Sequence, residues 1–298
     1  MITPAVGAAL PGFLAEHLVS ILNGLAVGML LFTMAVGLSL IFGLMDVLNL
    51  AHGAIFLLGG YVAFQVIVGE GQSWLLGVAA AVGFGLAAGA ALGGILRPIR
   101  HRGHLDQALL TLGLAFVLSD LATIFWGSDF QSIPTPVFLQ RSVEVLGQFY
   151  PAYRLAVMAV GFALAVLVYL IVERTQVGAV LRAAVEDRAM VSALGINVGR
   201  VMLAVLALGT ALAAFGGVIG APILSLSPGV DAEVLILALI VVVIGGLGSI
   251  PGAFVGAILI GQVQSLGIAL VPQVAPFTLF GAMAIVLALR PEGLFGSR

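Results

Sequence analysis

The sequence predicts an all-α, polytopic membrane protein with eight or nine transmembrane helices, some short or broken, plus a cytosolic helix pair. Three observations carry this. Hydrophobic residues make up 62% of the 298 and charged residues only 8%. The apolar residues fall in long blocks, not in short alternating runs. Seven of the 24 charges (11 basic, 13 acidic) crowd into segment 173–200, between two such blocks. A helix crossing a bilayer needs about 20 mainly apolar residues, and a polar stretch this large between two of them has to sit in water.

The elements follow in order. The first block, 18–43, has length for one tilted helix or for a broken pair. Spans 54–68, 75–96 and 107–126 come next, the first of them short and glycine-interrupted. Within 75–96, Gly85, Gly89 and Gly93 recur every four residues, the spacing that lets helices approach closely in lipid. Loop 127–153 holds Pro134, Pro136 and Pro151 among polar and aromatic residues, and reads as a short surface helix or a lid. Spans 154–172, 201–223, 233–249, 251–270 and 275–289 complete the set, so 1–298 reads as one transmembrane domain.

Composition excludes several classes. Cysteine is absent, which removes disulfides and thiolate metal sites. Lysine is absent as well, which removes a P-loop and a Schiff-base lysine. Any ATP used must therefore be hydrolysed, with its Mg, by another chain; no cofactor or metal is expected on this one. No basic patch suggests nucleic acid. No basic stretch precedes the first apolar run, so no cleaved signal peptide is expected.

The arginines set the orientation. Arg97, Arg100 and Arg102 form one group, Arg174, Arg182, Arg188 and Arg200 a second, and Arg290 and Arg298 a third. Even numbers of spans separate the groups, so all nine residues share one side. By the positive-inside rule that side is the cytoplasm. Loop 127–153, with Arg141, then lies outside.

Segment 173–200 carries the clearest local pattern. Asp187 can cap a helix start and Gly195 can end it in the left-handed conformation. Met190, Val191 and Leu194 share a face by helical spacing. The upstream piece adds Val180, Leu181, Ala184 and Val185, so two short amphipathic helices meet near Glu186. A short helix with an apolar face needs something to pack on: either this chain's own helices or a cytosolic partner.

Polar residues at membrane depth come next. Asp46, Asn49 and His52 occur within seven residues between apolar runs, flanked by Gly43 and Gly53. Asn49 and His52 read either as caps that hydrogen-bond backbone or as translocation-pathway groups. Around 245–252, Gly245, Gly246, Gly248, Pro251 and Gly252 mark a tight turn into a closely packed helix. Asp120 and Gln262, isolated in helices, read as helix–helix hydrogen-bond groups.

Three motifs in order, NLAHGA at 49–54 with GGY at 59–61, RAAVEDR at 182–188 with LGIN at 194–197, and GGLGSIPG at 245–252, give a resemblance over roughly 18–295. The chain resembles the branched-chain amino acid permease family of bacterial ABC importers, LivH-type. It departs at Asp46 and in loop 127–153. The resemblance implies a partner permease of LivM type, two cytosolic ATP-binding subunits and a periplasmic substrate-binding protein, all at the bacterial inner membrane. It implies that 173–200 is the coupling segment, with Arg182, Glu186, Asp187, Arg188, Met190, Val191, Leu194 and Gly195 at the ATPase contact. Transport of branched-chain amino acids is expected; urea, amides or small carboxylates are the alternatives within the family. A passive channel is the rival outside it, and would not need a capped, apolar-faced helix pair. A membrane enzyme would need convergent catalytic groups, such as paired Asp motifs or a GxSxG turn, which the sequence lacks.

Overall fold

A chain in hydrocarbon must satisfy its backbone hydrogen bonds within itself, and the helix does this segment by segment. The computed structural model describes residues 12–45, 47–99 and 102–296, with the side chains of Phe13, Leu14, Ala15, Val185 and Arg188 outside the description. Asp46, Arg100 and Arg298 lie outside the described residues altogether. The helices are α1 (Gly12–Met45), α2 (His52–Phe64), α3 (Trp74–Leu96), α4 (His104–Trp126), α5 (Ala152–Arg174), α6 (Gln176–Glu186), α7 (Arg188–Ala193), α8 (Val198–Leu224), α9 (Val230–Gly245), α10 (Ile250–Leu270) and α11 (Ala275–Leu289). A π-turn, Gln65–Gly69, extends α2.

Among the described residues, eight helical segments are long and apolar enough to cross a membrane: Glu16–Met45, His52–Gly69, Trp74–Ile99, His104–Trp126, Ala152–Arg174, Val198–Leu224, Ile250–Leu270 and Pro272–Leu289. The first block is one unbroken 34-residue helix, not a pair. The 16-residue α9 is shorter than a span. It starts against the beginning of α2, where a Cβ on Gly53 would run into the Asp231 carbonyl, and ends against the start of α10.

The centre is α1, enclosed by α5, α8, α9 and α10. Phe32, Met34, Val36, Phe56, Val241 and Ala257 are buried together in the main core. Small residues set the spacing. A Cβ on Gly28 would come within 2.8 Å of the Ala257 carbonyl oxygen, and one on Gly89 within 2.6 Å of the Ala207 Cα. So α1 meets α10, and α3 meets α8 at Gly85 and Gly89, backbone to backbone, while Gly93 packs under the Leu203 side chain. The Thr210 hydroxyl donates to the Gly85 carbonyl (2.8 Å) and ties the second pair. Gln262 donates to the Ile21 carbonyl (2.9 Å), the helix–helix bond its sequence position predicts. The outer helices α4 and α11 leave most of their surface open.

Loop 127–153 carries one exposed 3-10 turn, Val137–Leu139, and then a feature the sequence reading did not include. That feature is an antiparallel hairpin of β1 (Ser142–Val145) and β2 (Gln148–Pro151), turned at Leu146 and Gly147, both with positive φ. Period-two alternation in SVEV signals a strand. The turn pair Leu-Gly is an uncommon one, because two positive φ values favour Asn or Gly at both positions. The Trp74 indole donates to the Pro134 carbonyl (2.9 Å), and Gln131 bridges to Leu226. The Tyr150 hydroxyl donates to Asn23 Oδ1 (3.0 Å), and Arg154 reaches the same oxygen. Burial pushes the Tyr150 phenol above its ordinary value, with Arg154 pulling the other way.

Candidate functional site

The arginine groups converge at one end of the bundle. Arg97 and Arg200 line one cavity together with Met45, so the ends of α1 and α3 and the start of α8 lie side by side. The chain's last residues join them: the Leu294 amide donates to the Ile244 carbonyl (2.8 Å) and the Phe295 amide to Gly245 (2.9 Å). The 245–252 turn is where these pieces meet. Gly246 (φ +103°) and Gly248 (φ +80°) adopt backbone that a side chain would strain. A Cβ on Gly43 would come within 2.5 Å of the Gly248 Cα. The Ser249 hydroxyl then caps α10 by accepting from Gly252 (3.1 Å), with Pro251 in the first turn, where its missing amide costs nothing.

At this end α6 and α7 form the expected helix pair. Thr175 caps α6 by accepting from the Gly178 amide (3.2 Å), and Asp187 Oδ1 caps α7 by accepting from Met190 (2.9 Å). Gly195 (φ +83°) ends the pair, and Asn197 Oδ1 caps α8 by accepting from Arg200 (3.1 Å). Leu181 and Ala184 are buried. Arg182 donates to the Val172 carbonyl and pairs with Glu173 (3.4 Å), so it fastens α6 to the end of α5. Glu186 and Asp187 are exposed.

The expected apolar face divides. Met190 and Leu194, four residues apart, are 65% and 75% exposed, whereas Val191 is 3% exposed. One residue turns a helix by about 100°, so Val191 points back into the chain and anchors α7. The free face is Met190 and Leu194, with Val177 exposed on α6.

The second feature is the break before α2. Residues 47–49 are non-helical, and Asn49 Oδ1 accepts from the Ala51 amide (3.2 Å). His52 Nε2 lies 3.2 Å from the Met34 carbonyl oxygen. Met34 precedes the Met45 end of α1 by eleven residues, or ~16 Å of helix, so the chain dips to the middle of the bundle before α2 begins. Both side chains are fully buried, and Asn49 Nδ2 and His52 Nδ1 have no partner. Both bond backbone here, and the surrounding helices enclose them.

Asp120 was expected to bond another helix; instead it is exposed on α4, ~9 Å in from the Trp126 end at 1.5 Å per residue. Phe116, Val117, Leu121 and Ile124 surround it on the same open face. A carboxylate at that depth facing lipid is costly, so this face meets protein or water. The sequence shows Asp120 in an apolar run but carries no mark of which way α4 faces.

The chain belongs to the branched-chain amino acid transport system / permease component family, whose model matches residues 20–289. It is 28% identical over 295 residues to the high-affinity branched-chain amino acid transport system permease protein BraD of Pseudomonas aeruginosa, covering 94% of this chain and 96% of the relative. It is 28% identical over 288 residues to LivH of Escherichia coli K12, covering 92% and 94%. The ribose import permease protein RbsC of the same organism is 27% identical over 238 residues, covering 76% and 71%. Among solved structures, PsaBC from Streptococcus pneumoniae in complex with Fab shares the fold, with a TM-score of 0.50, 16% identity and 92% of each chain covered.

Proposed function

We propose that this chain is one of two permease subunits of an ATP-driven importer for branched-chain amino acids in a bacterial inner membrane. The observation that carries this is the free Met190–Leu194 face on a helix pair fixed at the arginine-rich end. Apolar residues held out into water by two caps and a buried anchor are shaped to enter a groove in another protein. The positive-inside rule supports a cytoplasmic side for that end, where a subunit that binds ATP and Mg would receive it. The hairpin end then faces the periplasm and a substrate-loaded binding protein. A second permease, of LivM type, would cover the α4 face around Asp120.

In the mechanism we infer, closure of the ATPase dimer pushes α6 and α7. Arg182 and the Gly195–Asn197 connection pass that push to the ends of α5 and α8. The enclosed break at Asn49 and His52 is where opening at half depth would begin, and these two side chains would meet substrate only then. Glu186, Asp187 and Arg188 would line the rim of the ATPase contact. The family name and the similarity to BraD and LivH support branched-chain amino acids as cargo.

The test is a pull-down from mild detergent. An ATPase subunit is expected to co-purify with the wild type and to be lost from a Met190→Asp, Leu194→Asp variant that still elutes as a folded chain. Equal recovery with the variant would sink the docking assignment.

A further inference from the structure

A cavity of about 490 Å³ lies among the ends of α1, α3, α4 and α8, next to the helix pair. Its wall is mainly aliphatic, with Val47, Leu96, Met202 and Leu206 among the lining residues. Four polar residues line it: Arg97, Gln107, Asn197 and Arg200. Asn197 is already engaged, capping α8. Arg97 and Arg200 are exposed to solvent at its rim, and Gln107 is buried. Arg97 and Arg200 make no ion pair among the described residues. Gln107 is only 6% exposed; its Nε2 donates to the Arg102 carbonyl (3.3 Å) and its Oε1 has no partner. An unpartnered buried acceptor is costly, and two guanidiniums beside an apolar pocket favour an anion. The complement of this wall is a small molecule with an anionic group, a hydrogen-bond donor and an aliphatic body.

We propose that this cavity binds a free branched aliphatic α-amino acid from the cytosolic side, its carboxylate at Arg97 and Arg200 and its ammonium at Gln107 Oε1. The inference rests on the importer reading for orientation and substrate class. Asn197 and Arg200 open α8 directly after the helix pair ends at Gly195. A ligand seated here therefore wedges the α3–α4 corner against the first turn of α8. It holds the segment that would have to move with the ATPase subunits. A ligand that prefers one of two states shifts the balance toward it, so accumulated product slows its own import. The cavity acts as a product sensor, separate from the enclosed break at half depth.

The experiment uses the complete importer with L-leucine. In nanodiscs without the binding protein, the wild type is expected to bind radiolabelled leucine. Arg97→Gln and Gln107→Leu are each expected to weaken that binding about tenfold, the usual effect of losing one hydrogen bond to a charged group. In proteoliposomes with ATP inside, preloaded lumenal leucine is expected to slow the initial uptake of the wild type but not of either variant. With an empty lumen all three import equally. Uptake in the wild type that ignores lumenal leucine overturns the inference, as do variants inhibited as strongly as the wild type. Mass spectrometry provides another check: an anionic phospholipid retained by the wild type and lost from Arg97→Gln makes the cavity a lipid site and also overturns it. Failure of ATP-driven leucine uptake with an empty lumen strikes the importer reading itself, a separate result.

Discussion

A single methyl group has opposite consequences at two glycines on neighbouring helices. At Gly53 it would meet the Asp231 carbonyl and the Leu235 Cβ at 2.9 Å, where backbone cannot give way. Overpacking of this kind costs ~1–3 kcal/mol, so Gly53→Ala is expected to lower the melting temperature and folded yield in detergent. At Gly83 nothing lies within 4 Å. Alanine is favoured over glycine inside a helix by about 1 kcal/mol, so Gly83→Ala is expected to raise the melting temperature. Equal shifts at both sites would mean that helix propensity, not close approach, governs the α2–α9 contact. The sequence marks Asn49 and His52 as polar residues at depth, because charge and hydropathy are local. That His52 reaches back to Met34, eighteen positions earlier, is a tertiary fact with no local sign. The exposure of Asp120 escapes sequence reading for the same reason.

Elements were readable where their signals are local. Asp187 and Gly195 sit at the ends they were expected to mark, because a cap is decided by a few adjacent residues. The inward turn of Val191 depends on what α7 rests against, and six helical residues cannot specify that. The hairpin was missed because its turn breaks the usual preference. Leu146 sits at φ +50°, where a Cβ costs roughly 1–2 kcal/mol. Leu146→Asn is accordingly expected to raise stability by ~1 kcal/mol, read as a higher melting temperature in the same detergent. An unchanged value would show that the hairpin melts independently of the bundle.

At the scale of the whole molecule, the open face of α4 asks what surrounds the bundle. The chain contains no cysteine, so an introduced thiol is unique within it. Asp120→Cys carrying a thiol-linked photo-crosslinker is expected, in the assembled importer, to cross-link to the second permease, because that subunit covers its face. Phe280→Cys, on the outer helix α11, is expected to cross-link to lipid alone. Cross-linking to lipid alone at both positions would place Asp120 against hydrocarbon and remove it from the subunit interface. The burial of α1 has a further consequence, for the order of synthesis. Of the described helices, the earliest to be made ends at the centre, and its Gly28 contact belongs to Ala257 on α10, some 230 residues later (257 − 28 = 229). At ~5–20 residues per second, α1 must wait on the order of ten seconds or more for that neighbour to emerge. Until then its glycine-lined flank faces lipid or the insertion machinery. Chains cut short before α10 are therefore candidates for rapid membrane proteolysis, and quality control of this permease can act on the fate of α1.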